Sequence, residues 1–455
     1  MRTFKQFVGT VNGLAYVYEN VKVCSSLGKS SLLNQSYMTD SNELEAEFGH
    51  IERHIQFRKS HTVEVVELVR QLHELNDISQ TLQNLQKLQV LDDIELFEIK
   101  KFAFISQRIA DLMDRTGYRE ISLYPMDRVI RMLDPEESRI AHFYIYSAYD
   151  PRLAELRKKI LQTEDPAEGE RLTWEASKIE DGIRQRLSES LQPYGQNLSH
   201  NLQQLAQLDV WNAKAQLALE WGLCRPVISE GVTEYRNLFQ PEVKSVTESN
   251  GGRYQPVDFR LTAAPCLITG ANMSGKTVLL KSLALAQYLF QFGFFIPAEE
   301  ARICPVEEIF CVIDDRQTEQ RGLSSFAAEM LSVNEIICQS KQKKRLLVLV
   351  DELARTTNPD EGRRLVNAFV TLMERYHVMS VITTHYSGIP FPCRRLRVKG
   401  LETDRITSDI TPHTLSRYMD YTLVETSSDE VPAEALTIAR IFHVDNEFLE
   451  LAEQN

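Results

Sequence analysis

The residue types and spacings that can do chemistry lie in the C-terminal half of the chain. Gly270-Ala271-Asn272-Met273-Ser274-Gly275-Lys276-Thr277 places two glycines around four residues and follows them with Lys-Thr. Glycines there let successive backbone N–H groups wrap an anion, Lys276 reaches the β- and γ-phosphates of a nucleotide, and the Thr277 hydroxyl joins a Mg²⁺ shell. Val278 opens the helix that such a loop requires. Downstream, Leu346-Leu347-Val348-Leu349-Val350 ends in Asp351-Glu352. Asp351 suits holding Mg²⁺, directly or through water, and Glu352 suits orienting or deprotonating an attacking water, because phosphoryl transfer rests on positioning and charge neutralisation. An acidic pair after a strand is commonly a solvated strand end; following a phosphate loop, it reads as catalytic. His385 closes a third apolar run, where it can sense a γ-phosphate, although a lone histidine at a strand end is more often structural.

A second anion site is written into Arg321-Gly322-Leu323-Ser324-Ser325-Phe326-Ala327-Ala328-Glu329-Met330. Glycine and small hydroxyl residues at the start of a helix combine free N–H groups, the helix dipole and a serine donor. The local pattern also suits a plain N-cap. Because the first nucleotide already has its own loop, Ser324 points to presentation toward another subunit's ATP. Tyr254, just upstream of the first apolar run, is a candidate to stack on the base.

Three β-rich runs must position these groups: residues 264–269, 346–350 and 378–383. Each ends in polar residues and helical segments lie between them, which predicts an α/β layer with a largely parallel sheet and the site at the carboxyl ends of its strands. Residues 42–96 read instead as helices. Leu44, Phe48, Ile51 and Ile55 recur at three- and four-residue steps, and Val63, Val66 and Leu72 resume the pattern. Pro125, Pro135 and Pro151 punctuate the next stretch and suggest a boundary near 150. Beyond it, Leu153, Leu156 and Ile160 mark one helical face, Leu172 to Leu191 a second, and Leu198, Leu202 and Leu205 a third. Residues 163–169 make a polar turn between the first two, so this region reads as a helical hairpin, either a spacer or a binding arm.

At 455 residues the chain is too long for one ordinary domain, and 43% hydrophobic against 25% charged residues leaves apolar material for a sizeable core. A net charge of −13 argues against a surface devoted to gripping phosphate backbones, though it leaves room for a local basic patch. The seven cysteines show no metal-ligand spacing and read as reduced, mostly buried small residues. Without an apolar run of about 18 residues or a leader pattern, no membrane association is expected and the chain reads as cytoplasmic.

Taken in order, Gly270–Thr277, Gly322–Met330, Asp351–Gly362 and Thr383–Tyr386 resemble the MutS-family ATPase domain. Asn272-Met273 matches that family's Asn-Met pair, Ser324-Ser325-Phe326 to Met330 its signature region, and Arg355-Thr356-Thr357 the loop after its Asp-Glu pair. Phe295 to Glu299 is similar to its segment after the first helix. The resemblance implies an α/β ABC-type P-loop ATPase domain preceded by an all-α core/lever region. Its expected divisions are a helical core at 1–150, a lever-like hairpin without a clamp at 151–222, the ATPase domain at 223–425 and a helical dimerisation element at 426–455. It also implies a homodimer with ATP and Mg²⁺ as cofactors. Each ATP would be held by Lys276, Thr277, Asp351 and Glu352 of one subunit and capped by Ser324 of the other. On the same resemblance the chain is expected to lack the mismatch-reading domain, the clamp and a nuclease-like C-terminal domain. Ser274, Ala354 and Thr356 stand where the family often has glycine.

These expectations converge on an ATP hydrolase that couples binding and hydrolysis to conformational change, DNA-linked in repair or recombination without reading mismatches itself. The alternative is a protein-remodelling or reactivating ATPase for a metabolic enzyme, with a client protein in place of DNA. A non-hydrolysing, ATP-gated scaffold is disfavoured by the intact set Lys276, Asp351, Glu352 and His385.

Overall fold

The computed structural model describes residues 2–138, 143–270, 274–313, 325–342, 344–355, 357–402, 415–426 and 434–453. The chain divides into two compact units: one gathers Met1–Val21, Ser36–Gly49 and Leu217–Asn455, the other Lys22–Gln35 and His50–Gln216.

The second unit consists of helices and the loops that join them, with no strand among its described residues. Its longer helices are Thr62–His73, Asp93–Thr116, Pro151–Gln162, Pro166–Leu191 and most of Gly195–Trp221. Local signals set their ends. Asp92 and Glu95 form a capping box at the start of Asp93–Thr116, and Gly117 closes that helix in the left-handed conformation at φ +73°. Asp150 and Asp165 each accept a backbone N–H at a helix start whose first residue is proline. The Asp165 cap corrects the expected turn: helix resumes at Pro166, so Ala167 to Gly169 are helical and only residues 163–165 turn. A second correction concerns the face of Thr62–His73. Val63 and Val66 are exposed, while Val65, Leu68 and Leu72 are buried. The preceding helix ends at Ser60 and a new one begins at Thr62, so the periodicity restarts instead of carrying through.

The first unit is built on two sheets. The strands in chain order are β1 (Val227–Ile228), β2 (Val232–Leu238), β3 (Val257–Thr262), β4 (Pro265–Thr269), β5 (Glu300–Ile303), β6 (Glu308–Val312), β7 (Leu346–Val350), β8 (Met379–Thr383), β9 (Arg394–Leu401) and β10 (Met419–Glu425). A four-stranded sheet runs β1-β5-β2-β3 and a six-stranded sheet runs β10-β9-β4-β8-β7-β6. In the larger sheet every pairing from β9 to β6 is parallel, and only β10 is antiparallel. The three expected runs are its central strands. Every residue of β7 and β8 is buried, as continuous apolar strands covered on both faces must be. The helix Ser325–Ser340 lends Met330, Val333 and Ile337, and the helix Pro359–Arg375 lends Val366, Phe369, Val370 and Met373, to one core with Val348, Val350 and Ile382. The helix Lys276–Gln291 is buried almost all round.

Register decides where chemistry gathers. Ile268 pairs with Thr383 and Val350 with Ile382, so β4, β7 and β8 all run out at one edge of the sheet. That edge carries Gly270, Asp351 and His385. The cysteines are free; Cys266 and Cys304 are buried, Cys24, Cys224 and Cys393 are half-buried, and burial pushes the Cys266 thiol up to about 12. Among the described residues no helix is long and apolar enough to cross a membrane.

Candidate nucleotide site

The loop leaving β4 turns directly into the helix Lys276–Gln291, with Gly275 as its N-cap at φ +84°. Glycine is needed there twice over: the conformation is left-handed, and a Cβ would sit 2.9 Å from Cδ1 of the Tyr421 ring. The Lys276 ammonium, itself buried, donates to the Gly270 carbonyl at 2.8 Å, which holds it over the loop. Ser274 is buried beside Gly270, and its hydroxyl has no hydrogen-bond partner among the described residues.

A relay of short hydrogen bonds joins the loop to the acidic pair. The Thr277 hydroxyl donates to Asp351 Oδ2 at 2.6 Å, and the Thr383 hydroxyl donates to Asp351 Oδ1 at 2.5 Å. Thr383 also accepts the Glu352 backbone N–H at 2.9 Å. The ends of β7 and β8 and the start of the helix Lys276–Gln291 are thereby tied through one carboxylate. Beyond it the backbone is unusual: Glu352 and Ala354 adopt φ +50° and +61°, left-handed values that non-glycine residues seldom take. The Arg355 guanidinium lies 3.3 Å from the Glu352 carboxylate, but it is largely exposed, so their attraction is screened.

Beside the phosphate loop is a cavity of about 220 Å³, walled by Tyr254, Val257, Gly275, Leu279, Val398 and Tyr421 among others. The Tyr254 hydroxyl accepts the Gln240 N–H at 3.0 Å, and burial raises its pKa. Gln255, also in the lining, fixes the Tyr421 backbone by accepting its N–H at 3.0 Å while donating to Asp420 Oδ1 at 3.0 Å. Burial pushes the Asp420 pKa up, but hydrogen bonds from Gln255, Lys399 and Thr422 outweigh it and hold the carboxylate well below its usual range.

Residues 266–454 match MutS domain V. This part of the chain is similar to the MutS family's domain V. Curated relatives of the domain are named Endonuclease MutS2. That of Ligilactobacillus salivarius is 35% identical over 211 residues, 45% of this chain and 25% of its own length. That of Pediococcus pentosaceus is 36% identical over 214 residues (46% and 26%), and that of Thermus thermophilus 32% over 217 residues (47% and 27%). Each match thus covers only about a quarter of the relative.

Within the matched residues, Gly270, Gly275, Lys276, Thr277, Val278, Asp351, Glu352 and His385 gather at the one sheet edge anticipated for them. Ala271, Asn272, Met273 and Ser324 lie outside the described residues. His385 is exposed at the end of β8. Partial desolvation of its ring by the neighbouring groups lowers its pKa below the ordinary 6.5, Glu352 acts to raise it, and Arg355 and Lys276 reinforce the lowering. Tyr254 does reach the cavity wall. Sequence reasoning overlooked Tyr421, which sits on an antiparallel edge strand with no motif. It also assigned no role to Thr383, whose one signal was a hydroxyl at the buried end of an apolar run. Nor did it separate out Glu329, which accepts the Ala354 N–H at 2.8 Å, or Tyr386, which donates to the Ala354 carbonyl at 2.7 Å.

Proposed function

We propose that this chain binds ATP with Mg²⁺ at the β4–β7–β8 edge and hydrolyses it, coupling the cycle to conformational change in a DNA-linked homodimer. The observation carrying this reading is the relay Thr277–Asp351–Thr383–Glu352, which ties a phosphate loop to a catalytic carboxylate. A Thr hydroxyl and a carboxylate oxygen converging at 2.6 Å are hard oxygen donors of the kind Mg²⁺ takes, so Thr277 and Asp351 would hold the ion. When bound, it supplies neutralisation of phosphate charge. Lys276 exchanges the Gly270 carbonyl for phosphate oxygens, keeping one full positive charge on the loop. The Glu352 carboxylate accepts a hydrogen bond from the attacking water and orients it in line, with Thr383 fixing the backbone from which Glu352 projects. His385, held neutral, is free to hydrogen-bond a phosphoryl oxygen or the water. The cavity between Tyr254 and Tyr421 has the aromatic, half-buried character that suits a nucleobase. Ser324 of a second subunit would cap the phosphates in a homodimer.

The DNA link rests on the relatives' printed names and on the helical residues that precede the domain. A chain with net charge −13 binds duplex only through a local basic surface. Hydrolysis measured with and without duplex, branched and single-stranded DNA across a salt series tests this. Stimulation that fades as salt rises supports the DNA reading. No stimulation and no salt-dependent binding leaves a protein-remodelling ATPase as the reading.

A further inference from the structure

The loop after Asp351 is gripped from two sides at one residue, through the successive peptide groups that flank Ala354. Glu329 Oε1, on the helix Ser325–Ser340, accepts the Ala354 N–H at 2.8 Å. The Tyr386 hydroxyl, one residue past His385, donates to the Ala354 carbonyl at 2.7 Å. Tyr386 has no slack: a Cβ on Gly362 would lie 2.3 Å from its hydroxyl, so the helix Pro359–Arg375 presses it onto the loop. Met330, beside Glu329, packs into the core that contains Leu353 and Ala354. Between the Thr383 tie at Glu352 and this grip at Ala354, the backbone passes through two left-handed residues that L side chains disfavour. Such a conformation persists only where surrounding contacts over-determine it.

We propose that Glu329 is a positioning residue for hydrolysis: by holding the Ala354 N–H it keeps the 352–354 turn in its strained form and so aims the Glu352 carboxylate. This rests on the ATP-hydrolysis reading above. Glu329 lies near the start of the helix Ser325–Ser340, so a shift of that helix changes the aim of its own subunit's Glu352. A device of this kind acts on the chemical step and leaves nucleotide binding alone, because Lys276 and Thr277 lie at the end of the relay away from Glu352.

Steady-state ATP hydrolysis and binding of a fluorescent ATP analogue, measured on the full chain, test it with Glu329→Ala, Glu329→Gln and Tyr386→Phe. Misaim of about 1 Å lowers kcat roughly a hundredfold in Glu329→Ala, while KM and analogue affinity stay within about threefold of wild type. Glu329→Gln keeps an amide oxygen as acceptor and restores most of the rate. Tyr386→Phe, which frees the carbonyl of the same residue, lowers kcat in the same selective way, and this carries the test if Glu329→Ala does not fold. A Glu329→Ala chain hydrolysing at the wild-type rate overturns the proposal, as does a loss of analogue affinity in step with kcat, or a Gln variant as slow as the Ala variant. A wild-type chain that binds the analogue but hydrolyses no ATP overturns the hydrolysis reading itself, an outcome visible before any variant is compared.

Discussion

Thr383 connects the two acidic residues: its hydroxyl donates to Asp351 and accepts the Glu352 N–H. Removing it leaves a half-buried carboxylate and a backbone N–H each short of a partner, at about 1–3 kcal/mol apiece. Thr383→Ala should therefore slow hydrolysis at least about tenfold, while Thr383→Ser, which keeps the hydroxyl, stays near wild type in the same kcat assay. His385 sets a pH limit. Its folded pKa is lowered, chiefly by partial desolvation, so it stays neutral at pH 7 and gains its proton only as pH falls below the ordinary 6.5. Whatever stability and catalysis its neutral form contributes is complete above 6.5 and lost as pH falls through the lowered value. The acid limb of the kcat–pH profile should accordingly change in His385→Gln. Lys276, Thr277 and Asp351 were legible in the sequence because phosphate chemistry dictates their types and spacing. Thr383 and Tyr421 were not, since a threonine ending a strand and a tyrosine on an edge strand are ordinary until register brings them to the loop.

At the scale of elements, the apolar runs that became β4, β7 and β8 could be read almost to the residue, because strands buried on both faces leave no polar alternation to misread. The helical half was harder. One break at Ser60–Thr62 put Val65 and Leu68, in place of Val63 and Val66, on the buried face with the expected Leu72, and periodicity alone does not locate such a break. Urea unfolding should reflect this: Val65→Ala costs about 2 kcal/mol, whereas Val63→Ala stays within about 0.5 kcal/mol. The Asp165 cap was likewise written in the sequence as Asp-Pro, yet the polar residues after it resembled a longer turn.

At the scale of the molecule, the two units carry separate vulnerabilities. The helical unit buries His54 completely, between the Tyr118 hydroxyl at 2.9 Å and Asn212 at 3.3 Å, and burial drives its pKa down to about 3. The folded form thus keeps His54 neutral where the unfolded chain takes up a proton below about 6.5. Stability from this source is full above 6.5 and falls as pH drops toward 3, by about 3 kcal/mol at pH 4.5. Urea unfolding at pH 7 and pH 4.5 should show that extra loss in wild type and not in His54→Gln. Division into units was only partly legible, because Met1–Val21 and Ser36–Gly49 join the nucleotide-binding half from far upstream, and no local pattern marks such a long-range association. The proposed homodimer is tested by mixing Lys276→Ala chains with Ser324→Ala chains, since partial recovery of hydrolysis requires a site shared between subunits. The central claim, that the edge bearing Lys276, Asp351 and Glu352 hydrolyses ATP, is met most directly by one variant. In Glu352→Gln, ATP binding should persist while hydrolysis falls at least about a hundredfold; hydrolysis at the wild-type rate would contradict the account.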